Sequence, residues 1–341
     1  MNGSSADTLG ARHLRELGRE PRPAGSDSAA VARRYCADVL SALGYEPVER
    51  PFDYSAAVGQ YGTSVGGLVA FLVLAVALGT QSRLILFAGT VLIVLAGRWL
   101  GRHGVLRLSM LRRRGVNLEA RRGVEPVLWL VAHIDSKSQP IPLLVRAAGI
   151  VLLVIGWIGA LFFMHGWPYV GLVGALPVIA SVVGRGSAGS VDNASGVATV
   201  LSAASILPTD APVGILITDA EELGLAGARA WCAIRSAAIV LNCDGVDDDG
   251  ELTLMWTRPR ARRVERAFGA LRVIPLVPGV LVDSLAFSDA GWEAVTLSRG
   301  TLRTLRRIHT RHDSLDHLRG DGIAGAARAL ATAALTLTER R

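Results

Sequence analysis

The stretch Val127-Leu-Trp-Leu-Val-Ala-His-Ile-Asp-Ser136 decides the fold class. Its six apolar residues form a run of strand length, and His133 and Asp135 follow that run directly. Other apolar runs lie at residues 214–218, 238–242 and 294–297, and helical patterns lie at residues 194–206, 224–235, 259–270 and 321–338. Apolar strands separated by helices indicate an α/β sandwich around a largely parallel sheet.

Five short motifs along the chain carry histidine and carboxylate side chains. The candidate site residues on them are His133, Asp135, Asp192, Glu221, Glu222, Asp244 and His309. Nitrogen and carboxylate donors without thiolates suit a catalytic zinc ion that keeps an open position for water or substrate. His133, the Glu221–Glu222 pair and Asp244 each follow a predicted strand, and open α/β sheets bind ligands at the carboxyl ends of their strands. The sequence therefore predicts a metal site at that edge of the sheet.

Each motif has a simpler interpretation when it is considered alone. Asp192 is placed to cap the helix that follows it, and the two adjacent glutamates would ordinarily be a solvated pair. His309 lies in a basic stretch, where His312 competes with it as a ligand. The occurrence of all five motifs in one chain favours the metal site over these separate explanations.

The composition limits the classes of partner. The formal net charge of +7 comes almost wholly from arginine, because Lys137 is the only lysine. No nucleic-acid motif accompanies this charge, so we expect no nucleic-acid partner. Arginines beside apolar segments indicate anchoring at an anionic membrane face. Three cysteines without framework spacing favour a reducing compartment, and the first residues show no apolar signal-peptide core.

Four apolar runs predict membrane-spanning helices. Two of them, residues 65–79 and 84–97, are separated by a short polar segment around Arg83. A charge-free stretch between Arg146 and Arg185 divides near His165 into two further runs of about eighteen residues, each long enough to span a bilayer. Because these runs are apolar on all sides, we favour four transmembrane helices in two hairpins over buried core helices of a soluble protein.

The arginines predict the orientation of these hairpins. The hairpin tips carry only Arg83, whereas arginines are concentrated where each hairpin returns to the soluble part of the chain. The positive-inside bias then places both termini and the soluble part in the cytoplasm, in a multi-pass protein of the cell membrane. We expect the lipid bilayer to be a partner of this chain.

The ordered motifs resemble those of a known enzyme family, the co-catalytic di-zinc aminopeptidases, which also includes glutamate carboxypeptidase, glutaminyl cyclase and the transferrin receptor. The motifs that carry the resemblance are His133-Ile-Asp-Ser, Asp192-Asn-Ala-Ser-Gly-Val-Ala, Glu221-Glu-Leu-Gly-Leu-Ala-Gly, Asn242-Cys-Asp and His309-Thr-x-x-Asp. The resemblance covers residues 10–55, 115–140 and 186–341. It implies a three-layer α/β/α sandwich around a mostly parallel mixed sheet. The two hairpins are then insertions, at residues 63–100 and 144–185, into a discontinuous zinc peptidase domain of residues 1–62, 101–143 and 186–341.

The resemblance also implies a role for each candidate site residue. His133 and Asp244 would hold one zinc ion, Glu222 and His309 would hold the other, and Asp192 would bridge both ions. Glu221 would be the general base, and Asp135 would orient His133. The chain departs from the family at Val282-Asp-Ser-Leu-Ala-Phe287, where the family has Ser-Asp-His before a phenylalanine.

These features predict a membrane-anchored zinc metallopeptidase, an aminopeptidase that removes residues from the N-termini of peptides. Two alternatives use the same fold. Lys137 is the argument for glutaminyl-peptide cyclisation, because His-x-Asp-Ser-Lys also occurs in the cyclase branch of the family, but Asp192-Asn-Ala-Ser-Gly and His309-Thr-Arg-His-Asp look more like the peptidases. A catalytically silent membrane interaction module would be expected to have lost ligands, and the sequence lacks none of them. Nothing in the sequence indicates the oligomeric state or the side chain preferred at the cleaved position.

Overall fold

Eight strands form one mixed sheet in the part of the chain that the structure describes, residues 3–277 and 279–339 of a computed structural model. The strands are β1 (Glu46–Ser55), β2 (Arg112–Arg121), β3 (Leu128–His133), β4 (Val213–Thr218), β5 (Ile239–Val246), β6 (Glu251–Trp256), β7 (Arg272–Pro275) and β8 (Glu293–Gly300). Their order across the sheet is β1-β2-β4-β3-β5-β8-β6-β7. Strands β4, β3, β5 and β8 run parallel to one another, whereas β2 and β6 are antiparallel to β4 and β8. The predicted α/β fold with a mixed sheet is confirmed.

The helices alternate with these strands and also form a separate group. In chain order they are α1 (Gly3–Leu17), α2 (Asp27–Ala42), α3 (Ala56–Thr80), α4 (Arg83–Trp99), α5 (Val105–Arg107), α6 (Leu143–Phe162), α7 (Trp167–Ile179), α8 (Gly196–Ile206), α9 (Ala226–Cys232), α10 (Arg262–Ala267), α11 (Asp283–Asp289), α12 (Leu302–Arg307) and α13 (Ile323–Thr338). Helix α2 begins directly after Ser26, whose side chain caps it by accepting a hydrogen bond from the backbone N–H of Ala29. It ends just before Gly44, whose φ of 79° lies in the left-handed region that glycine adopts readily.

The register of the central strands brings their carboxyl ends to one level. In the parallel pair β3–β4, Leu128 lies opposite Val213 and His133 lies opposite Thr218, so the two strands end together. Strand β5 pairs with the other side of β3, with Ile239 opposite Leu128. The loops that follow β3, β4 and β5 therefore leave the sheet at neighbouring points.

Side chains of the central strands alternate between two cores, one on each face of the sheet. Leu128, Leu130 and Ala132 of β3 belong to the larger core, together with buried residues of α1, α2, α8 and α13. Trp129 and Val131 belong to the smaller core, together with buried residues of α9 and α11. The strands are apolar without interruption because both faces of the sheet are covered, and the layers are helix, sheet and helix.

Backbone contacts divide the chain into two compact units. The first unit comprises the described residues of Met1–Asp53, Arg113–Lys137 and Arg185–Arg341, and it contains most of the sheet and the helices that cover it. The second unit comprises Tyr54–Arg112 and Ser138–Gly184, and it contains helices α3 to α7.

The second unit is built from apolar helices that pack through glycines. A Cβ atom added at Gly156 of α6 would lie 2.1 Å from the backbone nitrogen of Gly171 in α7, so these helices approach each other at backbone distance. Small residues allow such close packing between membrane helices. Many large apolar side chains of this unit are exposed, including those of Leu84, Phe87 and Phe162.

Three helical segments are long and apolar enough to cross a membrane by length and composition: Ala56–Thr80, Arg83–Arg107 and Leu143–Phe162. The prediction of four spans is not confirmed, because the last apolar run forms only the 13-residue helix α7. A helix of this length spans about 20 Å, which is less than the ~30 Å hydrocarbon core. The helix ends at Ile179, two residues after Pro177. Residues 181–183 belong to the charge-free run but are not helical, so the run is longer than the helix.

Candidate metal centre

The central strands position most of the candidate site residues at one edge of the sheet. His133 is the last residue of β3, and Asp135 follows it by two positions. Glu221 and Glu222 lie in the loop after β4, and Asp244 lies near the end of β5. Parallel strands that end together thus bring side chains from distant parts of the sequence to one site.

The other two candidates come from segments before and after helices. Asp192 lies in an irregular helical turn, Ser190–Ser195, directly before α8, and its own backbone conformation is not helical. His309 lies in the loop after α12. Its φ of 63° and the φ of 58° at Ala220 place both residues in the left-handed region, which is uncommon for residues other than glycine. Backbone strain of this kind concentrates at functional sites.

Six side chains form two groups that could each hold a metal ion. In each group, one ligand atom per residue lies within 4.8 Å of the others. The first group is His133, Glu221 and Asp244, and the second group is Asp192, Glu222 and His309. His133 Nε2 lies 3.8 Å from Asp244 Oδ1 and 4.0 Å from Glu221 Oε2. His309 Nε2 lies 3.6 Å from Glu222 Oε1.

Asp192 directs one carboxylate oxygen toward each group. Its Oδ1 lies 3.2 Å from His133 Nε2, and its Oδ2 lies 2.8 Å from His309 Nε2. One carboxylate is therefore within reach of both groups. His312, the sequence competitor of His309, is exposed and belongs to neither group of the described residues.

Asp135 contacts both the first histidine and the glutamate loop. The Nδ1 atom of His133 lies 3.0 Å from the backbone oxygen of Asp135 and 3.5 Å from its carboxylate. That carboxylate accepts hydrogen bonds from the backbone N–H groups of Glu221 (3.1 Å) and Glu222 (3.2 Å). The side chain of Asp135 thus fixes the backbone on which both glutamates stand.

Asp313 fixes the backbone around Asp192 in a similar way. Its carboxylate accepts hydrogen bonds from the N–H groups of Val191 (2.7 Å) and Asp192 (3.2 Å). Burial raises the pKa of the Asp313 carboxyl to about 7, against the effect of these hydrogen bonds. Asp313 is the aspartate of the His309-Thr-x-x-Asp motif, so this motif contributes to both His309 and the turn around Asp192.

Arg22 lies beneath the site and escaped sequence reasoning. Its side chain is fully buried, and it donates hydrogen bonds to the backbone oxygens of Ile134 (2.9 Å), Ala188 (2.8 Å) and Gly189 (3.0 Å). Ile134 follows His133, and Gly189 precedes the turn that contains Asp192. Arg22 lies between two prolines, and nothing in this local sequence signals that the arginine will be buried.

Burial and mutual charge shift the pKa values of the candidate ligands. Burial raises the pKa of Glu221 well above its ordinary value and also raises those of Glu222 and Asp244. Burial alone would lower the pKa of His133, but the charge of Glu221 and hydrogen bonds with the neighbouring carboxylates raise it well above 6.5. Carboxylates packed this closely without a cation disfavour one another's charged form.

The donors fit a divalent metal ion. Glu221 Oε1 and Glu222 Oε1 are buried and have no hydrogen-bond partner among the described residues. Buried carboxylate oxygens ordinarily have partners, and a bound cation would satisfy these two. The donors are oxygen and nitrogen without sulfur, the set that suits catalytic zinc.

Comparison with known proteins identifies the family. Residues 116–334, more than half of the chain, match the model described as peptidase family M28. The chain belongs to peptidase family M28. The match contains every candidate site residue and begins within β2. No curated protein sequence matches this M28 chain.

Solved structures share the fold of this M28 member at low sequence identity. The aminopeptidase from Aneurinibacillus sp. strain AM-1 is 15% identical with a TM-score of 0.59, and the match covers 97% of this chain and 93% of that chain. A zinc aminopeptidase from Bacillus subtilis is 14% identical, with a TM-score of 0.58 and coverage of 97% and 94%. The Fimbriiglobus ruber glutaminyl cyclase is 13% identical, with a TM-score of 0.56 and coverage of 96% and 94%. Family and fold therefore agree on the zinc peptidase fold, and both aminopeptidases and cyclases share it.

Proposed function

We propose that this M28 member is a membrane-anchored zinc aminopeptidase. The observation that carries the proposal is the pair of three-residue groups at the carboxyl edge of the sheet, with Asp192 facing both of them. A pair of adjoining metal sites suits hydrolysis, because two ions can act on both the carbonyl group and the attacking water. Aminopeptidases are among the solved structures with this fold.

The proposed division of ligands follows the carboxylate and histidine positions. His133 and Asp244 would hold one zinc ion, Glu222 and His309 would hold the other, and Asp192 would serve both. When bound, the ions would supply Lewis acidity toward the scissile carbonyl and the attacking water. Asp135 would keep His133 and the backbone of both glutamates in place through its hydrogen bonds.

Glu221 is the proposed general base. It is buried, and its Oε1 has no hydrogen-bond partner among the described residues, so one oxygen is free to accept a proton from water. The same carboxylate also lies in the first group with His133 and Asp244, where it could instead bind metal. Substitution of each glutamate separates these two roles.

Glutaminyl cyclisation is the second candidate activity. Its support is the fold shared with the Fimbriiglobus ruber enzyme and with a Bacteroides thetaiotaomicron glutaminyl cyclase, together with Lys137 beside the first ligand motif. The two reactions leave different products. A peptidase releases a free amino acid from the N-terminus, whereas a cyclase acting on an N-terminal glutamine releases ammonia and leaves the chain intact.

The membrane anchor and its orientation are part of the proposal. The three long apolar helical segments support insertion in a bilayer, and the arginines at the returning ends of the hairpins support a catalytic unit on the cytoplasmic side. Peptides in the cytoplasm would then be the substrates.

The deciding experiment combines metal analysis with a substrate panel. We expect the detergent-purified full-length protein to contain close to two zinc ions, to release N-terminal residues from short peptides, and to lose this activity with a chelator. Re-addition of zinc should restore it. Absence of bound transition metal after reconstitution would contradict the zinc site, and ammonia release from glutaminyl peptides without cleavage would favour the cyclase.

A further inference from the structure

The only lysine of the chain lies in the candidate metal centre. The Lys137 ammonium pairs with Glu222 Oε2, and the lysine side chain is 15% exposed. The opposite charge of the Glu222 carboxylate favours the charged form of the lysine. The positive charge of Lys137 therefore contacts Glu222, one of the six candidate ligands.

This contact makes the two oxygens of Glu222 unequal. Oε2 is held by Lys137, whereas Oε1 lies 3.6 Å from His309 Nε2 and has no hydrogen-bond partner among the described residues. Only Oε1 is thus free toward Asp192 and His309. The Glu222 carboxylate therefore contacts Lys137 through one oxygen and faces the second ligand group through the other.

The first group has no such neighbour. Among the described residues, the carboxylates of Glu221 and Asp244 pair with His133 and with no lysine or arginine. Two positive charges on one buried carboxylate repel each other more strongly than they would in water, because the interior screens them weakly. A divalent ion in the second group would meet this repulsion, whereas an ion in the first group would not meet it directly.

We propose that Lys137 makes the two metal positions unequal, so that the ion held by Asp192, Glu222 and His309 is the more weakly bound and exchangeable one. The inference rests on the two-ion centre of the proposed function. Lys137 also orients Glu222, an effect that by itself would strengthen binding. The hydrogen bond to Asp135 already holds the backbone of Glu222, so we expect the relief of repulsion in a neutral variant to outweigh the loss of this orientation.

Metal titration of the full-length protein tests the proposal without relying on activity. Metal-free protein in detergent is titrated with Zn²⁺ in competition with a chromophoric chelator, and with Co²⁺, whose absorption reports the coordination of each site. We expect wild type to bind a second ion at least about tenfold more weakly than the first. Lys137→Met should tighten the second ion by about 10- to 100-fold and leave the first within about threefold, because it removes one buried charge.

Three variants serve as controls. Lys137→Arg keeps the charge and should keep the weak second site. Lys137→Gln is a second neutral variant, which should also tighten the second ion and which replaces Lys137→Met if the methionine variant does not fold. Arg260→Met removes a different cation paired with a carboxylate, Glu265 at 2.7 Å, and should change neither affinity. Circular dichroism and thermal unfolding of each metal-free variant verify that it is folded.

The outcomes separate this inference from the proposed function. Two ions bound with unequal affinity in wild type, and a tighter second ion in the neutral variants, support Lys137 as the cause. An unchanged or weaker second ion in folded Lys137→Met and Lys137→Gln overturns the inference and leaves the two-ion centre standing. A single ion in wild type and in the neutral variants overturns both. A single ion in wild type and two in the neutral variants supports the inference in its strongest form.

Discussion

At the scale of single residues, Glu221 and Glu222 are adjacent in the chain but face different groups of ligand atoms. Both stand on backbone held by one carboxylate, that of Asp135. The turn that follows Ala220 directs the two side chains toward different ligand groups, so one glutamate can bind metal while the other exchanges protons with water. Their separation into a base and a ligand is the chemical core of the proposed mechanism.

Glu221→Gln and Glu222→Gln should therefore fail in different ways. We expect Glu221→Gln to retain close to two zinc ions and to lose about 10²–10⁴ in turnover, the usual contribution of a general base. Glu222→Gln should lose affinity for one ion, because an amide is a weaker ligand than a carboxylate. Elemental analysis and peptide cleavage, measured on both variants, check the assignment. The opposite pattern would exchange the roles of the two residues.

Arg22 should be a determinant of both stability and metal affinity. Arg22→Met removes the side-chain donor of five backbone carbonyl groups, and each buried group left without a partner costs about 1–3 kcal/mol. We expect a lower free energy of unfolding and weaker zinc binding, measured by chemical denaturation and by metal titration.

A matched control for this substitution is Arg19→Met. Arg19 pairs with Glu16 at 2.7 Å, but its side chain is 64% exposed. Its loss should change the free energy of unfolding by no more than about 0.5 kcal/mol. Equal effects of the two substitutions would show that Arg22 has no special role beneath the site.

At the scale of secondary-structure elements, the contact between α6 and α7 depends on glycine. A Cβ atom at Gly156 would collide with the backbone of Gly171, whereas one at Gly97 of α4 would have nothing within 4 Å. Gly156→Ala should lower the free energy of unfolding of the detergent-solubilised protein by about 1–3 kcal/mol, the usual cost of overpacking. Thermal unfolding measures this change as a lower melting temperature. Gly97→Ala should not lower it, since it gains the same helix propensity without a clash. Comparable stability of the two variants would mean that the helices separate without cost.

The elements that carry the site were predictable from sequence, and the reasons are local. Buried parallel strands appear as unbroken apolar runs, and a ligand motif follows directly after β3 and β4, so both the strands and their reactive ends could be located. Helix α2 was predictable from its serine cap and its terminal glycine.

Other elements left no comparable signal. Strands β1, β6 and β7 lie at or near the edges of the sheet and are only partly buried, so they lack apolar runs. The length of α7 depends on where its helix ends, and a charge-free composition does not fix that point. The burial of Arg22 depends on carbonyl groups from residues more than 100 positions away, which no local pattern reveals.

At the scale of the whole molecule, the proposed membrane anchor and its orientation can be tested by labelling. Single cysteines at Ser82 and Gly166, in a background in which Cys36, Cys232 and Cys243 are alanine, should react in intact cells with a membrane-impermeant thiol reagent. A cysteine at the exposed Asp316 should react only after the cells are permeabilised if this unit lies in the cytoplasm, as we propose from the arginine bias. Labelling at position 316 in intact cells would show that the active unit faces outward, and release of the protein by carbonate without detergent would show that it is not inserted.

The order of the strands has a consequence for biosynthesis. Strand β3 lies between β4 and β5 in the sheet, but residues 138–184 separate β3 from both of them along the chain. A ribosome therefore releases β3 before either of its partners exists, because it must first translate residues 138–184. Glu221, Asp244 and His309 are synthesised after His133. The candidate metal centre can therefore form only after both apolar hairpins have left the exit tunnel. Nascent chains arrested before residue 213 should consequently contain a β3 strand that has neither of its partners in the sheet.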